Sequence, residues 1–477
     1  IDATFFDAAP DAGAVRSDST TDNWTLGWTL GANAAPACPS TTIDNGNGGC
    51  IIEGRLLEDT RLAAGLDYFL RGAVTIGRDV GFDGTAADGV SVDFTIDAGV
   101  TVQAESTESV LVVARGSRLF SNGTPTAPVR LTASNPDTRN VDTDTGLWGG
   151  LVIAGRAPIN SCDFDANGPC EAQAEATQEN YGGLDPDDDS GQIFYTRVEY
   201  AGFRFNGDQE LNGIGFFGVG RGTEVDFVQV HNNLDDGVEF FGGTVDVKHL
   251  VITGAADDSF DWVQGYRGRA QHILTVQNPA LASSFSEDPR GFEGDNNGNN
   301  PLFTPVSGPT VSHYTVVGRT DTAADVREGM LIRRGSGGRF YNGVVTGWPT
   351  ACLDLDGTET FALAGATVNT VGTDLTLQSV LLDCMDATEE EAGDPYSLED
   401  WFNNQSSDNV IGASSLTMPM GGGRVVVSGP NELAVSQFDA DLLDSFFEPA
   451  SSIGAVPADD NWTAGWTIWL DTPESAL

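Results

Sequence analysis

Short β-branched runs set off by Gly, Asn and Asp recur along most of this chain, and none of them carries a helical period. Val225-Asp226-Phe227-Val228-Gln229-Val230 returns 22 residues on (225 to 247) as Val247-Lys248-His249-Leu250-Val251-Ile252. The turn that follows repeats at the same offset, Asp235-Asp236-Gly237-Val238-Glu239-Phe240 becoming Asp257-Asp258-Ser259-Phe260-Asp261-Trp262. Such runs between turn residues read as strands, and a period of 20–50 residues means a stacked or radial repeat. A leucine-rich repeat needs a Leu/Asn ladder that is missing, and a propeller needs about twice the period. The pattern therefore predicts an all-β chain folded as a right-handed parallel β-helix, each coil ~4.8 Å above the last.

Less regular rungs flank this stretch. Upstream are 72–76, 90–96 and 110–114, and downstream are 313–317 and 340–345. Insertions at 160–190, 280–310 and 385–410 are rich in Asp, Asn or Glu and read as loops hung on the solenoid. The third, with Ala387-Thr388-Glu389-Glu390-Glu391 and then Asp400-Trp401-Phe402, has room for a short helix. No flexible linker interrupts the body, so residues 36–440 are expected to form one elongated domain between end segments 1–35 and 441–477.

Those end segments are copies of each other. Phe5-Phe6, Gly13-Ala14-Val15 and Asn23-Trp24-Thr25-Leu26-Gly27-Trp28-Thr29 match Phe446-Phe447, Gly454-Ala455-Val456 and Asn461-Trp462-Thr463-Ala464-Gly465-Trp466-Thr467. Trp24 and Trp28, like Trp462 and Trp466, stand at i and i+4, positions that share a face in a strand. If one copy covers its own body, the other needs an equivalent surface, and a neighbouring molecule offers one. A heterologous contact that does not close makes a filament, so Phe5, Phe6, Trp24, Trp28, Phe446, Phe447, Trp462 and Trp466 are candidates for self-assembly. A duplicated cap is the plainer reading.

Composition narrows the field. The 59 glycines and 4 methionines in 477 residues suit a turn-rich β chain, and 40% apolar residues suffice for a continuous core. The net charge of -47 excludes nucleic acid as a partner, because phosphate binding needs clustered cations. It points instead to a salty milieu or bound divalent cations. Six cysteines fall into neighbouring pairs, Cys38 with Cys50, Cys162 with Cys170 and Cys352 with Cys384, and predict disulfides and an oxidising compartment. Zinc is disfavoured by the lack of C-x-x-C and by only four His. A start at Ile1 suggests a removed leader, and no 18-residue apolar run is present to span a membrane. A secreted protein, extracellular or at the outer cell surface, is expected.

Leu147-Trp148-Gly149-Gly150-Leu151-Val152-Ile153-Ala154-Gly155-Arg156-Ala157-Pro158-Ile159-Asn160 resembles a motif of secreted bacterial parallel β-helix proteins. So do Arg197-Val198-Glu199-Tyr200-Ala201-Gly202, Gly237-Val238-Glu239-Phe240-Phe241-Gly242-Gly243 and Gly291-Phe292-Glu293-Gly294-Asp295-Asn296-Asn297. The group comes from marine and Bacteroidetes-type bacteria, includes surface lipoproteins and has no established activity. The resemblance covers roughly residues 65–470. It implies the fold and an extracellular address and brings no catalytic residues. The amino-terminal copy is foreign to it.

The chemistry is carboxylate chemistry. Glu239, Asp261 and Glu293 should stack on successive rungs, with Asp235, Asp236, Asp257 and Asp258 in a second column. Two carboxylates ~5 Å apart repel by roughly 3 kcal/mol at an effective dielectric of about 20. Such a column needs protons, basic partners or a cation. Arg267, Arg269 and Lys248 are nearest in sequence, and calcium, which takes six to eight oxygens, is the ionic alternative. Three loops also resemble cation binders: Asp163, Asp165 and Asn167 in a D-x-D-x-N-G turn, the run holding Asp187 and Asp189, and the run that opens at Asp295. The first lacks the twelfth-position carboxylate of an EF-hand, where Ala174 stands. The four His read as structural.

Three functions are compatible with this pattern. The first is a calcium-stiffened structural or adhesive rod that forms a homopolymer. The second is a polysaccharide lyase using the cationic patch Arg327, Arg333 and Arg334, although the net charge repels a polyanion. The third is a protein that passes a ligand, carbohydrate among the candidates, to an outer-membrane receptor.

Overall fold

A computed structural model describes residues 37–204, 210–281, 289–319, 327–417, 424 and 426–470. The amino-terminal copy, with Phe5, Phe6, Trp24 and Trp28, lies outside the described residues.

The repeat is a parallel β-helix. One sheet stacks short strands in parallel: Val110–Val113, Gly150–Ala154, Ile214–Phe217, Val238–Phe241, Phe260–Val263, Phe292–Asp295, Met330–Arg333 and Ala351–Leu355. Between them run longer strands, Gly191–Glu199, Glu224–Asn233, Asp246–Ala255, Arg269–Val276, Thr310–Val317, Gly338–Thr346 and Leu375–Asp383, again in parallel. Alternation along each strand sends every second residue into the coil. Val238 and Phe240 are fully buried inside, while Glu239 on the same strand faces out. Phe216, Phe240, Phe260 and Phe292 stack up the interior with ring centroids 5.2, 5.0 and 5.0 Å apart.

Each long strand folds at one residue into two sides of the coil. Phe194 pairs with Asp226 and Thr196 with Val228, so Tyr195 and Phe227 are skipped by the ladder. The skipped residues form a column with left-handed backbone: Tyr195 (φ 43°), Phe227 (56°), His249 (44°), His272 (58°), His313 (54°), Asn342 (56°) and Ser379 (60°). For residues with a Cβ this costs roughly 1–2 kcal/mol each. Stacking offsets it. Rings from Tyr195 to Phe227, His249, His272 and His313 follow one another at 4.4, 4.2, 4.8 and 5.4 Å, nearly parallel in the first three steps. Three of the four His therefore hold up a bend. The fourth, His231, is buried between Thr253 Oγ1 (2.8 Å) and the Val141 carbonyl (2.8 Å).

The last strand of the ladder is Val410–Ile411. Beyond it the chain returns as a strap along the ring column. Asn342 Nδ2 donates to the Phe438 carbonyl, the Glu448 amide to Gln271 Oε1, the Ala455 amide to Thr315 Oγ1, and the Ile468 amide to Gln229 Oε1. Trp462 stands edge-on to His249 at 4.9 Å and Trp466 edge-on to Tyr195 at 5.7 Å. Both indoles are buried, with Val251, Leu274, Val276 and Trp469 around them. They do not share a face as strand residues. The segment is a run of turns, in which Trp466 Nε1 donates to the Trp462 carbonyl (2.8 Å) and Thr467 Oγ1 to the Thr463 carbonyl (2.8 Å). Residues four apart lie on one side of such a helical turn as well. Phe447 is buried, and Phe446 receives the cations of Lys248 and Arg269 on its ring, each at 4.8 Å.

Cys38–Cys50, Cys162–Cys170 and Cys352–Cys384 are disulfides, paired as sequence proximity suggests. In the third insertion, Asp386–Thr388 is a strand of the ladder, and the short helix begins only at Leu398, running to Gln405. Ser397 caps it, accepting from the Asp400 amide (3.2 Å). No helix among the described residues is long and apolar enough to cross a membrane.

Trp462→Ala removes an indole wedged between the strap and the ring column. We expect a loss of about 3–5 kcal/mol, read as a lower denaturation midpoint. An unchanged midpoint would mean that the strap adds nothing to the body.

Candidate metal centre

The outward positions of the short strands carry the acidic column. Glu239 pairs with Asp261 and Asp261 with Glu293 in strict parallel register, so their side chains project one above another. The turns before these strands supply the second column. There Asp236 Oδ1 accepts from the Asp258 amide (2.9 Å), and Asp258 Oδ1 from the Arg290 amide (2.6 Å). The turn needs glycine at Gly237, where a Cβ would meet the Ser259 carbonyl oxygen at 2.6 Å. One oxygen of each of these aspartates thus knits rung to rung.

Two further acids close the site. Glu175, from the first insertion, and Glu210 join Asp235, Asp236, Glu239, Asp257, Asp258, Asp261 and Glu293 around a cleft of about 250 Å³ lined by these nine carboxylates. Three sets bring their oxygens within 4.8 Å of one another: Glu210 with Asp235 and Asp257, Asp236 with Asp257 and Asp258, and Asp236 with Glu239 and Asp261. Asp261 is 8% exposed and its Oδ1 has no hydrogen-bond partner. Burial, and then neighbouring carboxylates, push Asp235, Asp236, Glu239, Asp258 and Asp261 well above the usual carboxylate range. The same causes raise Glu175 and Glu293 to about 7. A site of this kind takes up protons or a hard cation, since the described residues that line it are all carboxylates.

The basic partners are not those nearest in sequence. Lys248 pairs with Glu448 (2.6 Å), and Arg269 with Asp246 and Asp444, on the long-strand side beside the strap. The cleft is met instead by Arg204, at 3.1 Å from Glu210 and 3.8 Å from Asp235, and by Arg290 and Arg333, each 2.9 Å from Glu293. Asp295 lies outside the cleft and binds Arg333 (3.0 Å) and Arg334 (2.6 Å). Arg333 and Arg334 of the cationic patch seen in the sequence are thus engaged with carboxylates.

The three loops do not assemble comparable sets of acids. Asp163 begins a one-turn helix, Phe164–Asn167; its Oδ1 accepts from Thr304 Oγ1 (3.0 Å), and Asn167 donates to its carbonyl (3.0 Å). Asp165 is exposed. Asp187 faces Arg221 at 3.8 Å and Asp189 faces Arg118 at 3.4 Å; the buried acid of that run is Asp188, held by Arg156 at 2.7 Å. Asn296 and Asn297 are buried tethers, with Asn160 Nδ2 donating to Asn296 Oδ1 (2.7 Å) and Asn297 Nδ2 to the Asn160 carbonyl (2.8 Å). Among the described residues, none of Asp163, Asp165, Asp187, Asp189 and Asp295 joins a group of three close carboxylates.

A coiled parallel ladder with a carboxylate-lined cleft on its short-strand face defines the class: an acidic β-helix protein. The chain belongs to the pectate-lyase-like β-helix domain family, whose model matches residues 54–467. Searches of the curated proteins and of the solved structures give no significant match.

The raised carboxyls fix the sign of a pH effect. Their folded forms hold protons more tightly than the unfolded chain, so this stability is present at low pH and is lost as pH rises through the folded values. His231 and His313, both lowered to about 4 by burial, act the other way, but only below the ordinary His value of about 6.5. Between pH 6.5 and 8 the carboxyls act alone. In EDTA the melting temperature should fall across that interval, and Asp261→Asn should flatten the fall. A flat or rising profile in the parent chain would show that the cleft carries no such strain.

Proposed function

We propose that this protein is an extracellular structural β-helix, a rod stiffened by calcium in its acidic cleft and joined head to tail through its amino-terminal segment. The observation that carries the reading is the strap. Its Trp462 and Trp466 are buried against a column of stacked rings, and residues 1–30 repeat the same Phe-Phe, Gly-Ala-Val and Trp-x-x-x-Trp elements. A segment built to cover such a column, with its own column already covered, suits a stretch of the same face that another copy's strap leaves bare. Each indole can bury ~150–250 Å², so one segment brings several kcal/mol to that contact. Calcium suits the cleft because it accepts many oxygen ligands in flexible geometry. Three disulfides fit an oxidising, extracellular setting.

Family membership favours a second reading, cleavage of an acidic polysaccharide at the cleft with Arg333 as base. Against it stand the pairing of Arg333 with Glu293 and Asp295 and the net charge of -47, which repels a polyanion. Pectate and alginate should yield no unsaturated product. Release of such product, abolished by Arg333→Ala, would replace the structural reading with the lyase.

In calcium, light scattering should show the full chain assembling while a chain lacking residues 1–30 stays a folded monomer. Equal association of the two would leave the repeat a plain cap. Calcium at about a hundred times its Kd should stabilise the truncated chain by ~2.7 kcal/mol through mass action, and excess EDTA at pH 8 should remove that gain.

A further inference from the structure

The short-strand face carries another acidic group beyond the cleft. Asp354 pairs with Leu331 two rungs above Glu293, and the Glu389 amide donates to the Leu353 carbonyl (2.9 Å), which sets Glu389 on the next rung. Glu328, in the turn before Met330–Arg333, is the third member. One oxygen from each of Glu328, Asp354 and Glu389 lies within 4.8 Å of the other two. Ligands on one calcium sit at 2.3–2.6 Å from it, so any two of them are at most about 5 Å apart. The three oxygens meet that limit.

Two of the three are buried, and the group is short of partners. Asp354 is 7% exposed and Glu328 4%. Asp354 Oδ1 and Glu389 Oε2 are both shielded from solvent and accept no hydrogen bond. A buried acceptor without a donor costs roughly 1–3 kcal/mol, and more when charged. The positive charge within reach is Arg290, whose Nε donates to Glu328 (3.2 Å) and whose other nitrogen serves Glu293 (2.9 Å), with Arg327 close enough to act on Glu389. Asp356 and Glu391 add further negative charge around Asp354. Burial and these neighbours raise Asp354 to about 8, and the contact with Glu328 raises Glu389 to about 7.

We propose that Glu328, Asp354 and Glu389 form a second divalent-cation site, separate from the nine-acid cleft and linked to it by Arg290. The ion is of the hard, oxygen-seeking class to which calcium and manganese belong. It supplies the missing partner of Asp354 Oδ1 and ties the turn before Met330–Arg333 to the two rungs that follow.

Mn²⁺ alone is the probe. The full-length chain, stripped with EDTA and returned to chelator-free buffer at pH 8, is titrated and free Mn²⁺ is followed by electron paramagnetic resonance. Asp354→Asn with Glu389→Gln should bind one ion fewer per chain than the parent. Asp236→Asn with Asp261→Asn should keep that ion, whether or not the cleft itself binds any, so the two sites succeed or fail separately. If the first pair of substitutions unfolds the chain by circular dichroism, Glu389→Gln alone, at a half-exposed position, should weaken one Mn²⁺ at least tenfold. An unchanged ion count in the double variant, or an unchanged isotherm in the single one, overturns the site.

Discussion

Parallel in-register stacking is the constraint from which the rest follows. A residue at a given point of one coil has its counterpart ~4.8 Å above and below. Like therefore sits on like. Where the repeated residue is Phe, the outcome is the interior stack from Phe216 to Phe292. Where it is an aromatic or His at the bend, the outcome is a ring column that offsets an unfavourable backbone. Where it is Asp or Glu, the same geometry gathers charge into a cleft that burial then deprives of water.

The two external columns answer that constraint differently. The ring column is covered from within the chain, the strap laying Trp462 and Trp466 against it. The acidic column is met by guanidiniums mainly at its ends, with Arg204 near Asp235 and Arg290 and Arg333 on Glu293. Between those ends, Asp236, Glu239 and Asp261 crowd together, and Asp261 keeps an unpartnered oxygen.

Much of this was legible in the 22-residue offset, because register follows directly from period in a solenoid. Glu239 over Asp261 follows from that arithmetic, as do the Asp-Asp turns below them. The disulfides were legible for a different reason, each joining cysteines close along the chain. What escaped is non-local. Glu175 and Glu210 enter the cleft from segments without a period, and no spacing announces them. Lys248 and Arg269 were set beside the wrong acids because residues ten or twenty apart in a coil lie on different sides of it. Glu328, Asp354 and Glu389 meet across coils of unequal length, where the offset no longer counts rungs. The helix near residue 400 starts after its acidic run, since the ladder claims Asp386–Thr388 and Ser397 supplies the cap.

The strap also changes how the molecule can come apart. In a bare solenoid each coil touches only its neighbours, so coils fray singly from an end and stability grows as a sum of local terms. Here one continuous segment binds Asn342, Thr315, Gln271, Lys248, Gln229 and Arg197, which belong to successive coils. Peeling one coil from that group means lifting a segment that grips the others. The splinted coils should open as a single cooperative unit with uniform, slow amide exchange, whereas the first coils, before Arg118, keep the graded fraying of an ordinary repeat.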